Sequence, residues 1–202
     1  MNIACLDLEG VLIPEIWVNF AAKTGIEKLR LTTRDIPDYN ELMTLRLGIL
    51  KEHNLGLKDI QEVISTLDPM PGAAEFLDWL RERAQVLILS DTFYEFAMPL
   101  MKKLGYPALW CHKLSVDDLG MVRDYHIRIA DPKKKAVQAL HNLNFKVVAT
   151  GDSYNDTSML AEAEHGILFC PPQNVIDEFP QFPVAKNYEE LKTEFLKALA
   201  AS

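Results

Sequence analysis

The feature that most limits the folds open to this chain is an uncharged apolar run that stops at two acids. Ile3, Ala4, Cys5 and Leu6 lead straight into Asp7-Leu8-Glu9-Gly10-Val11. Such a run reads as a strand buried on both faces of a parallel sheet. Carboxylates at the end of a buried strand are costly unless something pairs with them. Residues i and i+2 of a strand point to the same side, so Asp7 and Glu9 can face one ligand. The carboxyl edge of a parallel sheet is where open α/β folds bind their ligands.

Three further apolar runs have the same character: Val86 to Leu89, Lys146 to Thr150 and Ile167 to Cys170. Helical patterns lie between and after them. Gly72 to Arg83 follows the break Met70-Pro71-Gly72 and carries Phe76, Leu77 and Leu80 on one side. Pro132 to His141 starts with Asp131 as N-cap and Pro132 in the first turn. Asn155 to Ala163 and Tyr188 to Ala200 complete the set. This alternation predicts an α/β fold with a doubly wound parallel sheet. Lys113 to Ile129, with a turn at Asp118-Leu119-Gly120, predicts a hairpin.

One stretch breaks the alternation. About 55 residues between the first strand and Pro69 hold no strand pattern, which is too long for a loop in a compact domain. Ile16-Trp17 with Phe20-Ala21, Leu42 with Leu45, and Ile60 with Val63-Ile64 have helical spacing. The expected division is a core of residues 1–13 and 69–202 with a small helical cap, residues 14–68, inserted after the first strand.

Composition excludes several classes of function. Hydrophobic residues make up 49% of the 202, which supports a sizeable core and argues against disorder. No apolar stretch is long enough to span a membrane. The N-terminus has no basic leader, and the three cysteines (Cys5, Cys111, Cys170) lack metal spacing and read as thiols of a reducing cytoplasm. A net charge of −8 disfavours nucleic acid as a partner. An anionic ligand would therefore need local attraction from a bound cation, a lysine or a helix N-terminus.

Four polar clusters fall at strand ends or helix starts: Asp7 with Glu9, Ser90-Asp91-Thr92, Lys133, and Gly151-Asp152-Ser153-Tyr154-Asn155-Asp156. If the strands are parallel neighbours, all four meet at one edge. The chemistry this set suits is phosphoryl transfer through a phospho-aspartate. Asp7 is the nucleophile. Mg²⁺, a cation that takes hard oxygen ligands, would be held by Asp7, Asp152 and the backbone carbonyl of Glu9. Lys133 and Ser90 supply positive charge and a donor to the phosphoryl oxygens. Glu9 acts as general acid and then general base, which requires its pKa to rise. Lys133 is chosen over Lys134 and Lys135 because it lies nearest the helix start. The Asn155 amide can reach a phosphate, whereas Asp156 reads as a support or a cap. The five histidines lack metal-ligand spacing and read as surface or core residues.

These motifs, in this order, resemble those of the haloacid dehalogenase (HAD) superfamily: Asp7-Leu8-Glu9-Gly10-Val11, Ser90-Asp91, Lys133, and Gly151-Asp152 with Asn155-Asp156. The departure is Glu9, where that family usually has Asp. Within it the chain is similar to the phosphoserine phosphatase branch, whose helical cap carries an early acid and a deeper arginine, here Glu15 and Arg46. The resemblance implies a HAD-like Rossmannoid core and phosphoserine as substrate. It places Glu15 against the substrate ammonium and Arg46 on its carboxylate, with Ser90, Asp91, Lys133 and Asn155 completing substrate binding. The likeness extends to bacterial members that also pass the phosphoryl group to homoserine, through Pro14-Glu15-Ile16-Trp17 and Ser90-Asp91-Thr92-Phe93-Tyr94. Other readings stay open: a phosphatase for another small phosphomonoester, or a receiver-type signalling module that merely accepts a phosphoryl group. The oligomeric state is open too, a homodimer included.

Overall fold

The computed structural model describes residues 1–32, 35–36 and 38–201. Seven strands form one sheet in the order β4-β3-β2-β1-β5-β6-β7. They are β1 (Asn2–Leu6), β2 (Gln85–Phe93), β3 (Ala108–Val116), β4 (Val122–His126), β5 (Lys146–Gly151), β6 (His165–Phe169) and β7 (Val184–Ala185). β1 lies centrally, with Cys5 level with Leu87 on one side and Ala149 on the other. All neighbours run parallel except β4, which pairs antiparallel with β3.

The uncharged character of β1 follows from burial on both faces. Ala4 and Leu6 join one apolar cluster with Ile88, Val148 and Ile167, while Ile3 and Cys5 join the opposite one with Leu87, Val147 and Leu168. The second cluster is closed by α6 (Pro132–Asn142), α7 (Thr157–Glu162) and α8 (Gln173–Glu178). Over the first lie α4 (Ala73–Arg81), α5 (Tyr94–Lys103) and α9 (Tyr188–Ala201), together with three helices between β1 and Pro69: α1 (Ile16–Thr24), α2 (Tyr39–Glu52) and α3 (Leu57–Ser65). Phe20 of α1, Met43 of α2, and Ile60 and Ile64 of α3 share one continuous core with Phe93, Phe96 and Leu100. Full burial of such side chains stabilises the fold by about 1.5–3 kcal/mol each.

One contact shows how α3 is fastened. Pro99 sits inside α5 and has no N–H to offer the carbonyl four residues back, that of Glu95. Gln61 of α3 fills the gap, its amide donating to Glu95 O at 2.7 Å. Lys103 then caps the far end of α3, donating to the carbonyls of Ser65 and Leu67 and pairing with Asp68.

Several local expectations are corrected. The Ser90-Asp91-Thr92 segment does not follow β2 but lies within its last residues, where the register with β3 shifts between Leu89 and Phe93. The hairpin lies where expected, with Lys113 level with His126, but its first strand reaches further back, because β3 starts at Ala108 and pairs with β2 before meeting β4. Its outer half carries Trp110, His112 and Lys113, so the apolar signal of a core strand is missing. Asp131 stands at the N-cap position of α6 with φ 50° and makes no side-chain cap bond. Its carboxylate accepts instead from Ser158 Oγ at 2.8 Å. Helix α7 is preceded by a 3-10 turn, Tyr154–Asp156. Among the described residues, no helix is long and apolar enough to cross a membrane.

Candidate active site

Strand order reverses at β1: the chain first builds outward through β2 and β3, then returns to lay β5 on the other side of β1. This switch point opens a crevice at the carboxyl ends of β1 and β5. Asp7 and Asp152 leave those two strands there, and Asp7 N–H continues the ladder to Thr150 O at 2.9 Å. The chain then turns sharply through Gly10, whose φ is 77°. A Cβ at Gly10 would lie 2.5 Å from the Asp152 carboxylate, so glycine lets the loop close over that acid.

Lys133 binds the cluster together. It enters from the first turn of α6, is 2% exposed, and reaches Asp156 Oδ1 at 2.7 Å, Asp7 Oδ1 at 2.9 Å and Asp91 Oδ2 at 3.4 Å. Burial alone would favour the neutral amine, but Asp156, Asp7 and Asp91 outweigh it and hold the ammonium well above its usual range. Asp7 is driven the other way from an ordinary carboxylate. Burial, and then Asp156 and Asp152, push its pKa well up despite Lys133. Asp7, Asp152 and Asp156 can each present an oxygen within 4.8 Å of the others. Three carboxylates this close, two of them on Lys133, fit a divalent cation of the Mg²⁺ type.

The same cavity, of about 620 Å³, is lined by every site residue named from the sequence: Asp7, Glu9, Glu15, Arg46, Ser90, Asp91, Lys133, Asp152 and Asn155. Glu9 stands apart from the carboxylate triad. Its Oε2 accepts the N–H of Ile16, the first residue of α1, at 2.8 Å. The Glu9 side chain is thus turned to the start of α1, which leaves only its backbone carbonyl for the cation role expected at position 9. Burial and the neighbouring Glu15 raise the Glu9 pKa to about 8, against the Ile16 N–H and Thr92, which favour the charged form. Ser90 is buried, with Oγ accepting from Thr92 N–H at 3.2 Å. Asn155 donates to Asp91 Oδ2 at 3.0 Å. Burial would raise the Asp91 carboxyl, but Lys133, Asn155 and His112 bring it below its ordinary value.

At the other end of the cavity, Arg46 lies on the buried face of α2 and is 6% exposed. Its guanidinium stacks on the Trp17 ring at 4.5 Å and donates to Leu31 O at 2.8 Å. Its Nε is buried without a partner in the protein. Burial lowers its pKa to about 10, still charged at neutral pH. Glu15 is exposed and precedes α1. The cavity thus has an acid-and-lysine end on the sheet and an arginine end on α2.

Residues 1–164 match the sequence profile of the haloacid dehalogenase-like hydrolases. The chain belongs to that family. It is 64% identical to the phosphoserine phosphatase ThrH of Pseudomonas aeruginosa, over 100% of this chain and 98% of that protein. A phosphoserine phosphatase of Pseudomonas syringae pv. tomato is 63% identical over 98% of this chain and 84% of its own length. The fold matches a solved phospho-aspartyl intermediate analogue of phosphoserine phosphatase with TM-score 0.76, at 22% identity, covering 95% of this chain and 98% of that one.

Asp156 is set more deeply in the site of this hydrolase than a cap need be, and two aromatic residues with no expected role join it. Asp156, read as a support or a cap, is fully buried and does both. Its Oδ2 accepts the N–H groups of Asp152 and Ser153 at 3.0 and 3.1 Å while Oδ1 holds Lys133. The Ser153-x-x-Asp156 spacing of a capping box was the available signal. Trp17 and Tyr39 line the cavity as well. Nothing in their spacing separates them from ordinary packing aromatics.

Proposed function

We propose that this hydrolase cleaves the phosphate ester of phosphoserine with Mg²⁺ as cofactor and Asp7 as nucleophile. The observation that carries this reading is the setting of Asp7. One carboxylate oxygen is held by Lys133 and the Leu8 N–H (2.9 and 2.7 Å), beside Asp152, in a cavity whose far end is the buried, half-satisfied Arg46. The names of the two Pseudomonas relatives supply the substrate.

Asp7, Asp152 and the Glu9 carbonyl would hold the cation, which neutralises the charge gathered when a carboxylate meets a phosphate. Asp7 attacks phosphorus and the ester P–O bond breaks, leaving an acyl phosphate on Asp7. Glu9, protonated at neutral pH because burial raises it, gives its proton to the departing serine oxygen. Glu9 then takes a proton from the acceptor, which attacks the acyl phosphate and frees Asp7. Lys133, Ser90 and Asn155 steady the phosphoryl oxygens. Arg46 takes the substrate carboxylate in bidentate fashion and Glu15 its ammonium. Residues 14–68 act as the cap that encloses the amino-acid end.

The acceptor is water or homoserine. Homoserine is serine with one more methylene, so Arg46 and Glu15 serve either alcohol. Phosphate release from phosphoserine in Mg²⁺ tests the reaction. Asp7→Asn should abolish it, and retained activity rules out the nucleophile. Adding homoserine should yield phosphohomoserine. Free phosphate alone, at any homoserine concentration, removes the transfer.

A further inference from the structure

We propose that His112 is a positioning residue for the phosphoryl end of the site, holding Asp91 so that Asp91 in turn orients Lys133 and Asn155. The inference rests on the phosphoryl chemistry proposed above, and it concerns a side chain on β3 that touches no substrate. His112 is 4% exposed. Its Nδ1 accepts the N–H of Arg128 at 3.3 Å, in the segment that leads from β4 towards α6 and Lys133. A ring nitrogen that accepts carries no proton, so in the neutral ring the proton lies on Nε2. Nε2 faces Asp91 Oδ1 at 3.7 Å. That distance is too long for a hydrogen bond and makes the pair an oriented N–H dipole against a carboxylate. Burial lowers the His112 pKa although Asp91 opposes it, which keeps the ring neutral at physiological pH.

Asp91 is therefore gripped at three points. Its Oδ1 meets His112, its Oδ2 receives Asn155 at 3.0 Å and Lys133 at 3.4 Å, and its carbonyl accepts the Tyr39 hydroxyl at 3.3 Å. The Tyr39 and Phe93 rings flank the imidazole, with centroids 6.5 and 6.3 Å away, and limit how it can turn. Without the imidazole N–H, the Asp91 carboxylate loses the partner on Oδ1 that opposes Lys133 and Asn155 on Oδ2. It is then free to swing towards them and draw both donors off the phosphoryl oxygens.

The test compares His112→Gln with His112→Asn. Both remove the ring, but only glutamine places an N–H near the Nε2 position. Turnover of phosphoserine and of an aryl phosphate is measured in Mg²⁺, with inhibition by inorganic phosphate. His112→Asn should lower kcat/KM by roughly tenfold, the low end for loss of an outer-shell partner. The loss should be equal on both substrates, and inhibition by phosphate should weaken to match. His112→Gln should recover most of it, while thermal stability falls alike in both. Equal activity of the two variants, or a loss confined to phosphoserine, overturns the proposal. So does ¹⁵N NMR of the unaltered protein that places the His112 proton on Nδ1. If the unaltered protein turns over aryl phosphate but not phosphoserine, the substrate reading fails while the variant comparison still decides the role of His112.

Discussion

Asp156→Asn isolates the interaction on which the site is built. The substitution keeps the shape. An asparagine oxygen in place of Oδ2 still accepts the Asp152 and Ser153 N–H groups and Ser153 Oγ. The amide nitrogen then replaces Oδ1 and meets the Lys133 ammonium where a 2.7 Å ion pair stood. One charge-assisted bond is lost, worth about 1.5–3 kcal/mol. The full penalty of about 3–5 kcal/mol for stranding a buried charge is not reached, because Lys133 keeps Asp7 at 2.9 Å. Asp156 also heads the charges that push Asp7 up, so its neutralisation returns part of the cost. Urea denaturation at pH 7 in chelator should show the loss as a lower midpoint at constant slope. The sign should reverse in a Lys133→Met background, where Asp156 is a buried acid without its cation: there Asp156→Asn should stabilise. Additive effects across this double-mutant cycle, or a single-variant loss below about 0.5 kcal/mol, would refute the reasoning.

Glu9 gives a pH dependence. Its folded pKa, raised to about 8 by burial and Glu15, exceeds the ordinary value of about 4.3. The native state thus holds a proton that the unfolded chain releases. The associated stability is fully present below the ordinary value and is lost as pH rises to about 8. Glu9→Gln should flatten that slope in urea midpoints measured from pH 5 to 9, and an unchanged slope would contradict the assignment. On the proposed cation site Mg²⁺ should raise the melting temperature, and Gly10→Ala, which forces a side chain at φ 77° against the Asp152 carboxylate, should abolish that rise. An undiminished rise would remove Asp152 from the proposed cation site. Gln61→Leu leaves the Glu95 carbonyl unpaired beside Pro99 and should cost about 1–2 kcal/mol by chemical denaturation with little change in phosphate release.

What the sequence disclosed follows from burial. β1, β2, β5 and β6 are covered on both faces, so their cores had to be apolar, and acids at their ends stood out against that background. Asp7 and Asp152 were legible for this reason, and Lys133 because it opens a helix. β3 was not, because its outer half lies at the edge, paired on one side with β2 and exposed at Ala108 and Trp110. His112 was hidden too. A single histidine in a half-exposed strand has no periodic signal, and its neighbours Asp91 and Arg128 are each at least 16 residues away along the chain. The Glu9 side chain shows a different limit. The i, i+2 rule holds while a strand continues, but β1 ends at Leu6, and the turn at Gly10 sends the Glu9 carboxylate to the start of α1.

The site is where this chain departs from the rules that shape the rest of it. Most buried residues of the chain are apolar, but here Asp7, Asp156 and Lys133 are all buried within one cluster. Such a cluster is a weak source of stability, since desolvating each charge offsets much of the attraction. It persists because two apolar layers and a shared core with α1, α2 and α3 hold the backbone regardless. The excess of carboxylate over ammonium is the property a nucleophile beside a cation requires. Burial and the neighbouring acids favour the neutral form of Asp7, so on the proposed mechanism a bound cation would restore the carboxylate that attack requires and would add stability as RT ln(1 + [L]/Kd). On this account one group of residues sets both the fragility of the cation-free protein and its chemistry.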